Sequence, residues 1–243
     1  MRMNVQERPL IGINSTYHED NHRWYKVPVN YLNAVYEAGG LPLIFPCKSD
    51  KEELSAYLRR VDGMVFTGGS DYPADLYGDT VTDSSDPMNS LRAETDILLM
   101  RMVLENTELP VFSICAGHQL LGIAAGGKLI QHIDDPDKHG QHDETTHEID
   151  IVDGKWLKSI FNANKIIVNS NHHQAVSPEG LPDDYLITAR SAEGVTEALE
   201  YRGERFILGV QWHPERYSDT KHRKAIFEYF IQKALEMRER NSA

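Results

Sequence analysis

The sequence predicts an α/β protein with a mostly parallel sheet that helices cover on both faces. In the first half of the chain, short apolar runs alternate with helical patterns, as is typical of parallel strands joined by crossover helices. In the second half, strand-like runs follow one another with fewer helices between them. We therefore expect antiparallel additions to the same sheet, or a small second sheet, in the C-terminal half. We expect a single domain over residues 1–243.

The first half of the chain supplies four predicted strands and four predicted helices. Short apolar runs bounded by turn residues predict strands over 9–14, 41–46, 62–69 and 109–114. Apolar residues at helical spacing predict helices over 27–40, 51–60, 94–106 and 117–127. Gly39 or Gly40 suits the end of the first helix, because glycine readily adopts the left-handed conformation found there.

The second half is richer in strands. Apolar and β-branched runs predict strands over 129–133, 146–152, 165–170, 185–191, 195–201 and 205–212. A long helical pattern from about Lys221 to Arg238 closes the chain.

Composition narrows the class of protein. Hydrophobic residues make up 40% of the 243 residues, as in a folded globular chain, and the formal net charge is -12. An acidic chain lacks the basic surface that nucleic acids and anionic membranes attract, so we expect neither partner. No apolar run has the form of a signal peptide or the length of a membrane span. Two cysteines provide no disulfide framework, so we expect a reduced, cytoplasmic protein.

Cys115 is the first candidate for chemistry. It follows an apolar strand and precedes a helix in "FSICAGHQLL". Sites in parallel α/β sheets form at the carboxyl ends of strands, and a sharp strand-to-helix turn would present the thiol in a cleft. The first N–H groups of the helix favour a thiolate there. Taken alone, the position of Cys115 favours a small buried apolar residue over a nucleophile, and Cys47 is expected to be structural.

A nucleophilic thiol needs a base and a group that orients the base. The stretch "GVQWHPE" offers His213 and Glu215 directly after an apolar strand. Pro214 disfavours a helical conformation for His213, so the Glu215 carboxylate could accept a hydrogen bond from the imidazole. The alternative is a histidine in an ordinary turn.

The glycines of "VFTGGSDYP" complete the candidate site. At a strand end, Gly68 and Gly69 leave backbone N–H groups exposed to the cleft. The N–H groups of Gly69 and Ala116 could together hold the oxyanion of a tetrahedral intermediate of acyl transfer. The alternative is an ordinary turn before Asp71.

Together these stretches resemble the class I glutamine amidotransferase superfamily. "SICAGHQ" matches its nucleophile motif at Cys115, Gly117, His118 and Gln119, with Ser113 where glycine is usual. "GVQWHPE" matches the second motif of its Cys-His-Glu triad. The resemblance implies a flavodoxin-like, three-layer α/β/α fold.

The resemblance narrows to the peptidase C26 branch of γ-glutamyl hydrolases, which includes γ-glutamyl-γ-aminobutyrate hydrolase. The resemblance spans about residues 9–230. It rests on the stretches "VPVNYLNAVYEAGGLPLIFP", "TGGSD", "AAGGKLIQHI" and "VNSNHHQAV". Ala116 stands where many members have arginine. The resemblance implies that the substrate's γ-glutamyl group is held by Gly68, Gln119, Asn171, His173 and Gln174.

The resemblance therefore implies hydrolysis of a γ-glutamyl amide through a thioester on Cys115, with His213 as base and Glu215 as its partner. The implied partner is a small γ-glutamyl molecule, no cofactor is required, and a homodimer is compatible with the family. One alternative is a glutaminase subunit that delivers ammonia to a synthase. A second is a scaffold without activity. Pocket loops are expected at residues 17–27 and 72–89.

The segment "QHIDDPDKHGQHDETTHEID" concentrates His132, His139, His142 and His147 among acidic residues. Imidazole and carboxylate suit zinc or manganese, but the spacing matches no defined metal motif. We therefore expect a solvated loop that borders the cleft, and no metal.

Overall fold

The structure is a computed structural model, and it describes residues 5–82, 85–133, 140–216 and 220–242. The chain divides into two compact units, each made from separate stretches of sequence. The first unit combines Met1–Thr67, Asn89–Phe112 and Glu215–Ala243, and the second combines Gly68–Met88 and Ser113–Pro214. The single domain over 1–243 stays a prediction. His139 and part of the predicted 72–89 loop lie outside the described residues.

The described residues contain strands and helices throughout both units. The strands are β1 (Leu10–Asn14), β2 (Thr16–Glu19), β3 (Arg23–Lys26), β4 (Leu41–Phe45), β5 (Gly63–Phe66), β6 (Val111–Ile114), β7 (Leu129–Ile130), β8 (Thr145–Ile151), β9 (Lys165–Ser170), β10 (Ala175–Val176), β11 (Tyr185–Ser191), β12 (Thr196–Tyr201) and β13 (Ile207–Val210). The helices are α1 (Val29–Glu37), α2 (Lys51–Leu58), α3 (Ser90–Asn106), α4 (Ala116–Ala124), α5 (Trp156–Phe161) and α6 (Thr220–Ser242). Short 3₁₀ helices span Val5–Glu7 and Ala74–Tyr77.

The first unit is built on parallel strands. β1 lies between β4 and β5 and runs parallel to both. Helix α6 buries a continuous apolar face at helical spacing, which includes Phe227 and Phe230. The ring of Phe112 lies 5.1 Å from the Phe227 ring and 6.0 Å from the Phe230 ring. These aromatic contacts form much of the core of this unit.

The second unit carries the antiparallel strands that the sequence predicted for the C-terminal half. β12 pairs with β13 and β11, β8 pairs with β11 and β9, and all four pairings are antiparallel. Helix α4 packs on β13 so closely that a Cβ atom on Gly209 would lie 2.6 Å from Nδ1 of His118. The predicted α/β class, with a mostly parallel sheet and antiparallel additions, is confirmed.

Local structure agrees with the capping signals and adds one element. Gly39, at φ 99°, ends α1, and the N–H of Gly40 donates to the carbonyl of Val35 at 2.9 Å. β2 and β3 form an antiparallel hairpin within the stretch that the sequence left as a loop. All four residues of β3 are exposed, so its sequence lacks the alternation of apolar and polar residues that would have predicted a strand. None of the described helices is both long enough and apolar enough to cross a membrane.

Candidate active site

Cys115 occupies a strained turn between β6 and α4. Its backbone angles are φ 53° and ψ −112°, a region that residues with a Cβ atom rarely adopt. Its N–H donates to the carbonyl of Val210 at 2.8 Å, and its carbonyl accepts the first helical hydrogen bond from Gln119 N–H at 3.0 Å. The chain therefore turns from strand to helix within one residue, which is the geometry predicted for a nucleophile presented into a cleft, although Cys115 itself is buried.

The side chain of Cys115 faces a cavity of about 270 Å³ in the second unit. Six residues that the sequence singled out line this cavity, namely Gly69, Cys115, Gln119, Asn171, His173 and Gln174. Asp86 also lines it, as expected for the predicted pocket loop over 72–89, whereas the sequence did not predict the other three lining residues: Ser70, Asp71 and His172. Gly68 precedes the lining residue Gly69, and the buried Ala116 follows the cysteine as the first residue of α4. The cavity thus assembles residues that are up to about a hundred positions apart.

Gln119 organises one wall of the cavity. Its Nε2 donates to the carbonyl of Gln174 at 3.1 Å and to Oε1 of Gln211 at 3.4 Å. Nε2 of Gln211 in turn lies 3.7 Å from Sγ of Cys115 and is placed to donate to it. The Cys115 sulfur therefore has a hydrogen-bond donor from the protein at the mouth of helix α4. Gln211 stands two residues before His213 in the motif quoted above, but nothing in that motif indicates its contact with the cysteine.

A carboxylate–imidazole pair lies in the same cavity. Nε2 of His173 is 3.0 Å from Oδ1 of Asp71, whose Oδ2 accepts the N–H of Asp86 at 2.9 Å. The resemblance implied that His173 would hold the substrate's γ-glutamyl group, whereas the structure pairs its ring with Asp71. The Asp71 and Asp86 carboxylates make this part of the cavity suitable for a cationic group.

Asn169 holds His213 in place through the backbone of His213. Asn169 at the end of β9 donates from Nδ2 to the carbonyl of His213 at 2.8 Å, and its Oδ1 accepts the His213 N–H at 2.9 Å. The His213 residue is only 8% exposed, so this pair of hydrogen bonds fixes the loop in a buried setting. Glu215 is also buried, two residues beyond His213. Sequence reasoning identified His213 and Glu215 but missed Asn169, because an asparagine in a strand has no local signature.

The remaining cysteine has the environment of a structural residue. Cys47 is buried, and its Sγ donates to the carbonyl of Ser15 at 2.8 Å. Burial raises the pKa of the Cys47 thiol, because the charged thiolate is poorly solvated there. Cys47 is therefore protonated at neutral pH, as befits a packing residue.

Comparisons with known proteins agree with the motifs and the fold. The sequence pattern of the peptidase C26 family matches residues 9–215. The chain is 31% identical to γ-glutamyl-γ-aminobutyrate hydrolase PuuD of Escherichia coli strain K12, over 94% of this chain and 94% of that protein. It is 29% identical to protein RP404 of Rickettsia prowazekii, provisionally described as glutamine amidotransferase-like, over 89% of this chain and 94% of that protein.

A solved structure shares the fold at lower sequence identity. It is a crystal structure of a Thermoplasma acidophilum protein provisionally described as one of the subunits of GMP synthase. The TM-score is 0.67 at 20% identity, and the match covers 97% of this chain and 98% of that one. Since the family pattern spans most of the sequence and a full-length relative shares nearly a third of its residues, the chain belongs to the peptidase C26 family.

Proposed function

We propose that this chain, a glutamine amidotransferase-like hydrolase by its family, cleaves γ-glutamyl amide bonds through a thioester on Cys115. The observation that carries the proposal is the strained turn that directs the Cys115 thiol into a polar cavity together with Gly69 and Gln119. A backbone held in such a conformation needs compensation elsewhere, and strain of this kind clusters at reactive groups. The 31% identity to a γ-glutamyl-γ-aminobutyrate hydrolase supports the substrate class.

The first half of the reaction forms the thioester. His213 accepts the thiol proton, and the Cys115 sulfur attacks the γ-carbonyl carbon of the substrate. The backbone N–H groups of Gly69 and Ala116 hold the negative oxygen of the tetrahedral intermediate. His213 then donates its proton to the leaving amine, and the C–N bond breaks. Glu215 orients the imidazole and stabilises its charged form.

The second half of the reaction releases glutamate. A water molecule gives a proton to His213 and attacks the thioester carbon, again through an oxyanion at Gly69 and Ala116. The C–S bond breaks and the proton returns to the sulfur, so free glutamate leaves and the thiol is restored. No step requires a cofactor.

Recognition of the γ-glutamyl group follows from the charges of the cavity. This group carries an α-ammonium and an α-carboxylate at the end away from the bond that breaks. The carboxylates of Asp71 and Asp86 suit the ammonium, whereas the amides of Asn171 and Gln119 supply neutral hydrogen-bonding groups. The leaving amine would extend out of the cavity, and γ-aminobutyrate is our first candidate because the E. coli relative is named for it.

The test is a release assay with purified protein. Glutamate is measured after incubation with γ-glutamyl-γ-aminobutyrate, several γ-glutamyl peptides and glutamine, with Cys115→Ala and Cys47→Ala as paired variants. We expect release from at least one γ-glutamyl amine or peptide, a loss of at least about 10³-fold in Cys115→Ala, and little change in Cys47→Ala. Release from glutamine alone would favour an ammonia-delivering amidotransferase component instead, and release that survives Cys115→Ala would refute the thioester.

A further inference from the structure

A second cluster of reactive side chains lies inside the second unit, and the proposed reaction does not use it. Three imidazole nitrogens surround a single carboxylate oxygen, Oε1 of Glu197 on β12. Nδ1 of His142 lies 3.4 Å from it, Nε2 of His147 on β8 lies 3.2 Å from it, and Nε2 of His172 lies 3.6 Å from it. The sequence predicted a solvated loop over the histidine-rich segment, which is wrong for His142, since it is buried, whereas His147 lies on β8 within the strand predicted over 146–152. The cluster was not predicted, because His172 and Glu197 come from other parts of the chain.

These side chains are deeply buried. Glu197 is 0% exposed, and the side chains of His142 and His172 are each 2% exposed. Among the described residues, neither carboxylate oxygen of Glu197 has an aligned hydrogen bond, and neither does Nε2 of His147 or of His172. Buried polar atoms normally have partners, because an unsatisfied group costs about 1–3 kcal/mol. A metal ion between the rings and the carboxylate would give these atoms a common partner.

The distances from Oε1 of Glu197 to the three imidazole nitrogens match those between neighbouring ligands of a small divalent metal. A tetrahedral Zn²⁺ with bonds of about 2.0–2.2 Å places its ligand atoms about 3.3–3.5 Å apart. The three nitrogen–oxygen distances of 3.2, 3.4 and 3.6 Å bracket that value. The ligand atoms of His142, His147 and Glu197 also all lie within 4.8 Å of one another.

The surroundings orient the rings as a metal requires. Nδ1 of His172 lies 3.0 Å from the carbonyl of Gln174 and can only donate to it, which leaves Nε2 as a free lone pair towards Glu197. This arrangement, with a backbone carbonyl that fixes the tautomer of a ligating histidine, is the usual support of metal-bound imidazole. The Ser170 hydroxyl donates to the His142 carbonyl at 2.8 Å, and its oxygen also lies 3.3 Å from Nδ1 of His142. A metal bound at Nδ1 would replace this second contact with Ser170.

We propose that His142, His147, His172 and Glu197 form a buried structural Zn²⁺ site. His142, His147 and Glu197 place their ligand atoms within 4.8 Å of one another, whereas His172 lies outside this group. An inward movement of the His172 ring would complete a tetrahedral shell with no open position for a substrate. The metal would join β8, β12 and the loop after β9. His172 also lines the cavity that contains Cys115, so the ion would hold one wall of that cavity in place.

The test measures metal binding rather than activity. Purified protein is stripped with a chelator and titrated with Zn²⁺, and the bound metal and the melting temperature are recorded. We expect about one Zn²⁺ per chain and a rise in melting temperature, since an ion that binds only the folded chain stabilises it. Absence of binding, with no rise in melting temperature, would overturn the proposal and leave a cluster of imidazoles that pair with Glu197.

Two variants give the assay its specificity. His147→Gln removes a ligand at the least buried position of the four, and His132→Gln changes an exposed histidine in the same segment. We expect Zn²⁺ affinity to fall at least about tenfold in His147→Gln and to stay unchanged in His132→Gln. Equal affinity in both variants would place the metal elsewhere and overturn the proposal.

Cobalt provides a readout that needs no variant. Stripped wild-type protein loaded with Co²⁺ should develop the intense visible absorption of tetrahedral cobalt, which a surface site rich in water ligands does not produce. The weak spectrum of octahedral Co²⁺ at saturation would overturn the proposed shell, even if His147→Gln fails to fold.

Discussion

At the scale of single residues, Cys115 combines the most strained backbone and the most reactive group in the candidate site. With φ 53° and ψ −112°, its Cβ is crowded against the backbone, at a cost of about 1–3 kcal/mol. The neighbouring strand β13 and helix α4 impose this conformation, because the backbone of Cys115 is hydrogen-bonded to Val210 on one side and to Gln119 on the other. The proposed chemistry therefore requires a side chain at a position where glycine would be more stable.

This conflict can be measured by comparing two inactive variants. Cys115→Ala keeps a Cβ atom in the strained region, whereas Cys115→Gly removes it. We expect Cys115→Gly to exceed Cys115→Ala in free energy of unfolding by about 1 kcal/mol or more, despite the flexibility that glycine adds to the unfolded chain. Urea denaturation of both proteins provides the measurement. A less stable Cys115→Gly would show that the turn is not strained.

At the scale of secondary-structure elements, Asn169 links β9 to the loop that carries His213. Replacing it with alanine removes both hydrogen bonds to the His213 backbone, so the imidazole should lose its alignment with the thiol. We expect Asn169→Ala to lower kcat by about 10- to 100-fold with KM changed less than about threefold, since a small misplacement of a catalytic group slows the reaction itself.

Asn171 provides the matched comparison for Asn169. It lies two residues further on and lines the cavity, so Asn171→Ala should mainly raise KM. Asn169→Asp keeps the oxygen that accepts the His213 N–H but loses the donor, and it should recover part of the lost kcat. If Asn169→Ala changes KM and leaves kcat intact, Asn169 does not position the base.

Helix α5 depends on a carboxylate from another strand. Glu200 on β12 accepts the backbone N–H groups of Lys155, Trp156 and Leu157 at 2.7–2.9 Å. These donors start a helix of six residues, which is too short to be stable alone. Glu200→Gln places an amide against buried N–H groups, so we expect a loss of about 1–3 kcal/mol in the free energy of unfolding.

The control for Glu200 is Glu204, which pairs with the Lys155 side chain at 2.6 Å while its own side chain is 91% exposed. An exposed ion pair contributes little, so Glu204→Gln should change the stability by less than about 0.5 kcal/mol. Thermal or urea unfolding of the two variants tests the contrast. Similar small losses in both would mean that Glu200 does not support α5.

Several of these features could be predicted from the sequence because their signals are local. The strand, turn and helix around Cys115 follow from apolar runs and Gly117, and the cap at Gly39 follows from a glycine after a helical pattern. The contacts of Gln211, Asn169 and Glu197 could not be predicted in this way. Each of them depends on which strands lie side by side, and no short motif encodes the order of strands in a sheet.

At the scale of the whole molecule, two effects of opposite sign act on the free energy of unfolding as the pH falls. The formal net charge of -12 at pH 7 decreases towards zero near the pI of about 5.3, which relieves repulsion in the folded chain. Against this, His118 is fully buried, and neither of its ring nitrogens has a hydrogen-bond partner among the described residues. Burial lowers the pKa of His118 from 6.5 to about 3; the Glu197 charge opposes this shift and the His172 charge adds to it.

We expect the effect of His118 to dominate, so that stability is lost on the acid side of neutrality. Between pH 6.5 and about 3, the unfolded chain binds a proton at this position and the folded chain does not, so the free energy of unfolding falls as pH falls. The slope from this residue is about 1.4 kcal/mol per pH unit. His118→Met removes the titration with a side chain of similar size. Urea unfolding from pH 7.5 to 4.5, with metal stripped from both proteins, should show a shallower decline in the variant. Parallel profiles would mean that His118 gains a proton in the folded protein as readily as in the unfolded one.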